Sequence, residues 1–190
     1  EFAGVGVHVF TFDFSSHGRS PGTLGFDNAR TDRLAYQALA ARQHFSAVSG
    51  LRGDQIILLG HSLGARTALQ TALLDPQGSA GLVLIGAQVN LVTNLQAEVF
   101  TGTSDDSLPW VQALGPRTPP VNLILLSGVW DDVLTPTAAR LLLEKLSGVQ
   151  GASEGSAYGK FEDNSYRAWR QFPSLFHNYE IFSPRVLAEV

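Results

Sequence analysis

A serine with a glycine two residues away on each side is the chain's clearest chemical feature: Gly60-His61-Ser62-Leu63-Gly64. A serine hydroxyl is a weak nucleophile unless it is exposed and lies beside a base. A tight strand-to-helix turn exposes it by pushing the side chain out of the sheet in a strained backbone conformation. The flanking glycines leave room for that turn. A helix starting behind the serine adds unpaired N–H groups and a positive dipole end, which favour a developing oxyanion. The plainer alternative is a glycine-rich turn in which Ser62 only caps the helix. The flanks favour the nucleophile. Residues 55–59 (QIILL) form a short apolar strand, and residues 63–74 form a helix closed by Asp75-Pro76.

Other elements must position this turn. Residues 5–14 (VGVHVFTFDF) are β-branched, aromatic and apolar on both alternating faces, the pattern of a buried parallel strand. They end in turn chemistry at Ser15-Ser16-His17-Gly18-Arg19-Ser20-Pro21-Gly22. Leu34, Ala35, Ala38, Leu39, Arg42 and Phe45 recur at helical spacing, with Gly50 as the stop. Residues 81–85 and 121–126 are further apolar strands. A helix is expected over residues 137–146, a Gly/Ser-rich loop over 148–159, and a fifth strand over 166–172, weakened by its arginines. Ser183-Pro184 opens a last helix. This alternation implies an α/β fold, a mainly parallel β-sheet flanked by helices. No repeat or linker divides the chain, so residues 1–190 are expected to form a single domain.

Composition narrows the function classes. A chain of 190 residues, 44% apolar, is ample for a hydrophobic core. No apolar run approaches the roughly 18 residues that cross a bilayer, so no membrane span is expected. A net charge of -4 gives no electrostatic reason to expect nucleic acid. With no cysteine, disulfides, thiolate catalysis and cysteine-ligated zinc are excluded, while the compartment stays open. Gly4-Val5-Gly6 lacks a third glycine and there is no P-loop lysine motif, so a nucleotide has little support. With no methionine, residue 1 is not an initiator.

The sequence GHSLG resembles the commonest nucleophile motif of the α/β-hydrolase superfamily, particularly its esterase, lipase and peptidase-like members. Residues 13–20 are similar to that family's D-x-x-G-H-G-x-S segment, with Ser16 where glycine is usual. The resemblance covers nearly the whole chain. It implies an α/β-hydrolase fold with a short cap-like insertion over residues 87–120, and the chain order serine, acid, histidine. Of five histidines, only His177 follows both the serine and the acid candidates. His8 lies in a strand, His17 in a turn and His44 on a helix surface. His61 is directed away from the reaction side. His177-Asn178-Tyr179-Glu180 is similar to the family's H-x-x-E segment, the plainer alternative being a solvent-facing loop histidine. No second histidine stands at ligand spacing to it, so no metal is expected, nor any cofactor. For the acid, two anchors disagree. The family's G-x-x-D spacing from Gly128 selects Asp131, and counting back from Pro136 selects Asp132. Asp131 is favoured because a strand end fixes direction better than a loop proline does.

The resemblance then implies a Ser62–His177–Asp131 triad acting on a small-molecule acyl substrate, with the Leu63 backbone N–H as one oxyanion donor. Phe100, Trp110, Trp130 and Phe176 are candidates to line an acyl pocket, with core packing as the alternative. Arg66 is expected to face solvent or pair locally. The family's second oxyanion donor comes from a loop after an earlier strand, which does not precede residues 5–14 here. Without that strand, two others would stand about 10 Å apart. An incomplete domain is the favoured expectation, over direct pairing of the two or a strand from another chain. Thioesterase, peptidase and acyltransferase chemistry use the same residues. A non-catalytic binding module on the same fold is the alternative from a different class. The oligomeric state is left open.

Overall fold

A computed structural model of the chain describes residues 4, 6–23, 30–87, 122–131, 136–147, 159–160 and 166–172. The strands are β1 (Ile57–His61), β2 (Gly81–Ile85), β3 (Asn122–Gly128), β4 (Gly159–Lys160) and β5 (Tyr166–Phe172). They form one sheet in the order β1-β2-β3-β5-β4. The first four in that order run parallel, and β4 lies antiparallel against β5. Leu59 pairs with Val83, and Val83 with Ile124, so alternate residues of neighbouring strands share a face.

Three helices accompany the sheet among the described residues: α1 (Arg30–Ser49), α2 (Leu63–Leu74) and α3 (Pro136–Ser147). Helices α2 and α3 cover one face. Ala65, Leu69 and Ala72 of α2 and Leu142, Leu143 and Leu146 of α3 join Leu82, Leu84, Leu123, Leu125 and Trp169 in one core. The opposite face carries Val83, Ile85 and Leu126, with Ile124 and Phe172 beside them. Helix α1 packs on the outer side of α2. Leu34 and Ala35 are buried there, and the Thr71 hydroxyl donates to the Ala35 carbonyl at 3.3 Å. The Arg42 guanidinium clamps the far end of α1 to the turn after α2, through the Gly78 carbonyl and the Asp75 carboxylate.

Helix α2 has the expected bounds, and so does β2. Strand β1 begins two residues later than expected. Gly53–Gln55 is a turn of 3-10 helix, closed by Gln55 N–H to Arg52 O and Ile56 N–H to Gly53 O, each at 3.0 Å. The helix expected over residues 137–146 extends by one residue at each end. The arginine-bearing stretch 166–172 is a full strand inside the sheet.

The strand expected over residues 5–14 is corrected. Residues 7–14 join no ladder, and among the described residues β1 pairs with β2 alone. Direct pairing of residues 7–14 with β1 is therefore not what the structure shows. The segment is held by aromatic contacts instead. Phe10 stacks on Phe45 of α1 at 5.2 Å and lies 6.1 Å from His44, and Phe12 meets Phe14 edge-on at 4.6 Å. Apolar character on both faces predicts a buried strand only where a neighbour takes the backbone N–H and C=O groups. Among the described residues no strand does, and Val7, Val9, Phe10 and Phe12 stay exposed.

Candidate active site

Ser62 sits between the last residue of β1 and the first of α2 with φ 55° and ψ -120°. Such a backbone costs a non-glycine residue on the order of 1–3 kcal/mol, so the surroundings must hold it. They do. The Ser62 N–H donates to the Ile85 carbonyl at 2.9 Å, fixing the turn to the end of β2. The Ser62 carbonyl accepts from Ala65 at 3.1 Å and Arg66 at 3.2 Å, which starts the helix. The side chain makes no capping hydrogen bond to α2. The reading of Ser62 as a plain helix cap therefore has no support in the geometry.

The two motif glycines are not equivalent. A Cβ on Gly60 would collide with the Gly64 carbonyl and the Ala65 nitrogen, whereas a Cβ on Gly64 would meet nothing within 4 Å. The turn closes by bringing the start of α2 against the Gly60 backbone, so only the first glycine is sterically required. The first N–H groups of α2 have no helical carbonyl behind them.

Asp131 lies at the same end of the sheet. β3 ends at Gly128, and the Asp131 N–H donates back to the Gly128 carbonyl at 3.2 Å, folding the chain into a tight turn. Strand β5 braces that turn. Val129 N–H donates to the Phe172 carbonyl at 3.0 Å, and the buried Trp169 Nε1–H donates to Ser127 Oγ at 2.9 Å. Asp131 is 5% exposed. One strand, β2, separates β1 from β3, so Ser62 and Asp131 stand about two strand spacings, or ~10 Å, apart. That gap accommodates one imidazole bridging hydroxyl and carboxylate. His177 and Asp132 lie outside the described residues, as do Phe100, Trp110 and Phe176. Most of residues 87–120 do too.

The remaining candidates sort plainly. Arg66 is 5% exposed, so of its two expected placements the solvent-facing one does not hold. Helix α2 lies between the sheet and α1, so little of its surface is left to water. His8, His17 and His44 are exposed, and His17 Nδ1 lies 3.0 Å from the Ser15 carbonyl. Around the Asp13 segment, the Asp13 carboxylate accepts from Arg19 N–H at 2.9 Å, and Ser20 Oγ donates to the Asp13 carbonyl at 2.8 Å. Ser16 takes φ 61°, the left-handed conformation in which glycine is unstrained. Trp169 and Gln37, whose side-chain oxygen accepts from Ser15 N–H at 2.8 Å, carry no sequence signal for their bracing roles. Among the described residues, no group of three His, Cys, Asp or Glu could hold a metal ion. No described helix is long and apolar enough to cross a membrane.

The sequence matches the alpha/beta hydrolase family over residues 1–187. The chain belongs to that family. Solved structures show the same fold at low identity. A putative alpha/beta hydrolase from Agrobacterium tumefaciens aligns with 93% of this chain and 63% of its own, at 19% identity and a TM-score of 0.57. A monoacylglycerol lipase from Paleococcus ferrophilus aligns with 94% of this chain and 77% of its own, at 18% identity and a TM-score of 0.56. SOBER1 from Arabidopsis thaliana aligns over 86% and 63%, at 15% identity and a TM-score of 0.53. This alpha/beta hydrolase chain thus spans less than two thirds of the length of the first and third of these relatives. No curated protein matches its sequence.

Proposed function

We propose that this chain carries the site of a serine hydrolase acting on carboxylic esters or related acyl compounds. The observation that carries the reading is Ser62, held at φ 55° on the strand-to-helix turn without capping its helix. Asp131, buried at the same end of the sheet, supports it. The lipase among the fold neighbours directs the first assays to carboxylic esters.

In this mechanism Ser62 Oγ attacks the acyl carbon while His177 takes its proton. The carbonyl electron pair moves onto oxygen, where the Leu63 N–H donates to it. The tetrahedral intermediate collapses by breaking the bond to the alcohol, which leaves with the proton from His177. Water then attacks the acyl-enzyme, His177 again takes the proton, and the acid departs as Ser62 is restored. Asp131 holds the imidazole in the right tautomer and stabilises the imidazolium.

Turnover of p-nitrophenyl butyrate tests the assignment. Ser62→Ala should lower kcat by about 10³-fold or more, and asparagine at the triad acid by about 10⁴-fold. Of Asp131→Asn and Asp132→Asn, the first should carry that loss. Retained activity in Ser62→Ala removes the reading. A loss at Asp132 alone moves the acid by one residue.

A further inference from the structure

We infer that Trp169 is a positioning residue for the triad acid: its indole N–H, acting through Ser127, holds the turn that presents Asp131. This inference rests on the serine-hydrolase reading above.

The need for such a tie lies in where the ladders stop. The pairs between β2 and β3 end at Ile85 and Leu126. The pairs between β3 and β5 run two residues further, to Ser127 with Gln171 and Gly128 with Phe172. Among the described residues, the last two positions of β3 are therefore held in the sheet from the β5 side. Those positions set the direction of the turn, because the Asp131 N–H closes it onto the Gly128 carbonyl. A shift in either one moves Asp131.

Trp169 adds a side-chain tie to that side. Its partner in the register is Leu125, two residues before Ser127, and residues two apart on a strand share a face. The indole runs along that face to Ser127, where Nε1–H donates to Oγ at 2.9 Å. The ring is anchored at its base, in one core with Leu125, Leu142 and Leu143. Both partners are buried, Trp169 at 3% exposed and Ser127 at 4%. Stability alone does not require this pair. Two apolar side chains of the same shape would cost little, since neither would leave a buried polar group unpaired. A hydrogen bond supplies what packing lacks, a fixed length and direction. The site needs that, because an error of about 1 Å in a catalytic group can cost about 10²-fold in rate.

Turnover of p-nitrophenyl butyrate, set beside urea midpoints, tests this. Trp169→Phe keeps an aromatic ring and removes the N–H. It should lower kcat roughly tenfold with KM unchanged, and so should Ser127→Ala. Each single variant leaves one buried polar group unpaired and lowers the midpoint. The Trp169→Phe/Ser127→Ala double variant leaves neither, so its midpoint should recover while kcat stays roughly tenfold down. In an Asp131→Asn background, Trp169→Phe should cost less than about twofold more, because the group it positions is already gone. The inference is overturned if kcat recovers with the midpoint in the double variant. It is also overturned if Trp169→Phe keeps its full effect on top of Asp131→Asn, or if Asp131→Asn turns over at the wild-type rate. All three results leave Ser62 as the nucleophile. If Ser62→Ala hydrolyses the ester as well as wild type, the parent reading falls, and this inference falls with it.

Discussion

Strand β2 and residues 7–14 are alike in composition and opposite in fate. Both are short, apolar and rich in β-branched or aromatic residues. Every residue of β2 is buried, between β1 on one side and β3 on the other, with α2 below. Residues 7–14 join no ladder, and Val9 is 54% exposed. Propensity does not make a strand. Backbone groups need partners, and side chains need a second layer to pack against. The difference reaches the site, because β2 is its spacer. Ile85 O accepts from Ser62 N–H, and Gly86 N–H donates to Leu126 O at 2.9 Å, so β2 sets the distance between the nucleophile turn and the acid turn.

The sharpest test of this contrast is a pair of truncations. Leu84→Ala, at a fully buried core position, should cost about 2–5 kcal/mol. Val9→Ala should stay within about 0.5 kcal/mol, both read as urea midpoints at constant m-value. Equal costs would mean that residues 7–14 are packed as tightly as β2, and would break the comparison.

The same rule operates within the nucleophile turn. Gly60→Ala drives a methyl group into the Gly64 carbonyl and should cost about 1–3 kcal/mol, with most of the turnover lost as the turn shifts. Gly64→Ala, whose Cβ site is open, should be tolerated in both stability and turnover. The smallest effect is expected beside the unpaired segment. Ser16→Gly relieves a left-handed serine and should stabilise the protein by about 0.5–1 kcal/mol, as a rise in midpoint.

These contrasts also show what was legible before the structure. Helix α2 and strand β2 could be read residue by residue, because a periodic apolar pattern ended at strong stops. The nucleophile turn was equally plain, since few other contexts place G-x-S-x-G between a strand and a helix. Residues 7–14 misled because apolar alternation reports what a segment can bury, not whether a neighbour is there to bury it. For Arg66, only the solvent-facing one of its two expected placements fails, for the reverse reason. A charge on a helix suggests solvent, but α2 is covered by the sheet and by α1. The bracing of Asp131 by Trp169 and Ser127 joins residues 42 positions apart and leaves no local pattern to read.

The central claim is that the turn at Ser62 presents an activated hydroxyl, and a fluorophosphonate probe tests it most directly. Cleavage after Arg52 and Arg66 releases residues 53–66 as a peptide with Ser62 as its one serine. The account predicts a single covalent adduct, on that peptide, absent from Ser62→Ala protein. An unlabelled wild-type protein, or an adduct on any other peptide, would contradict it.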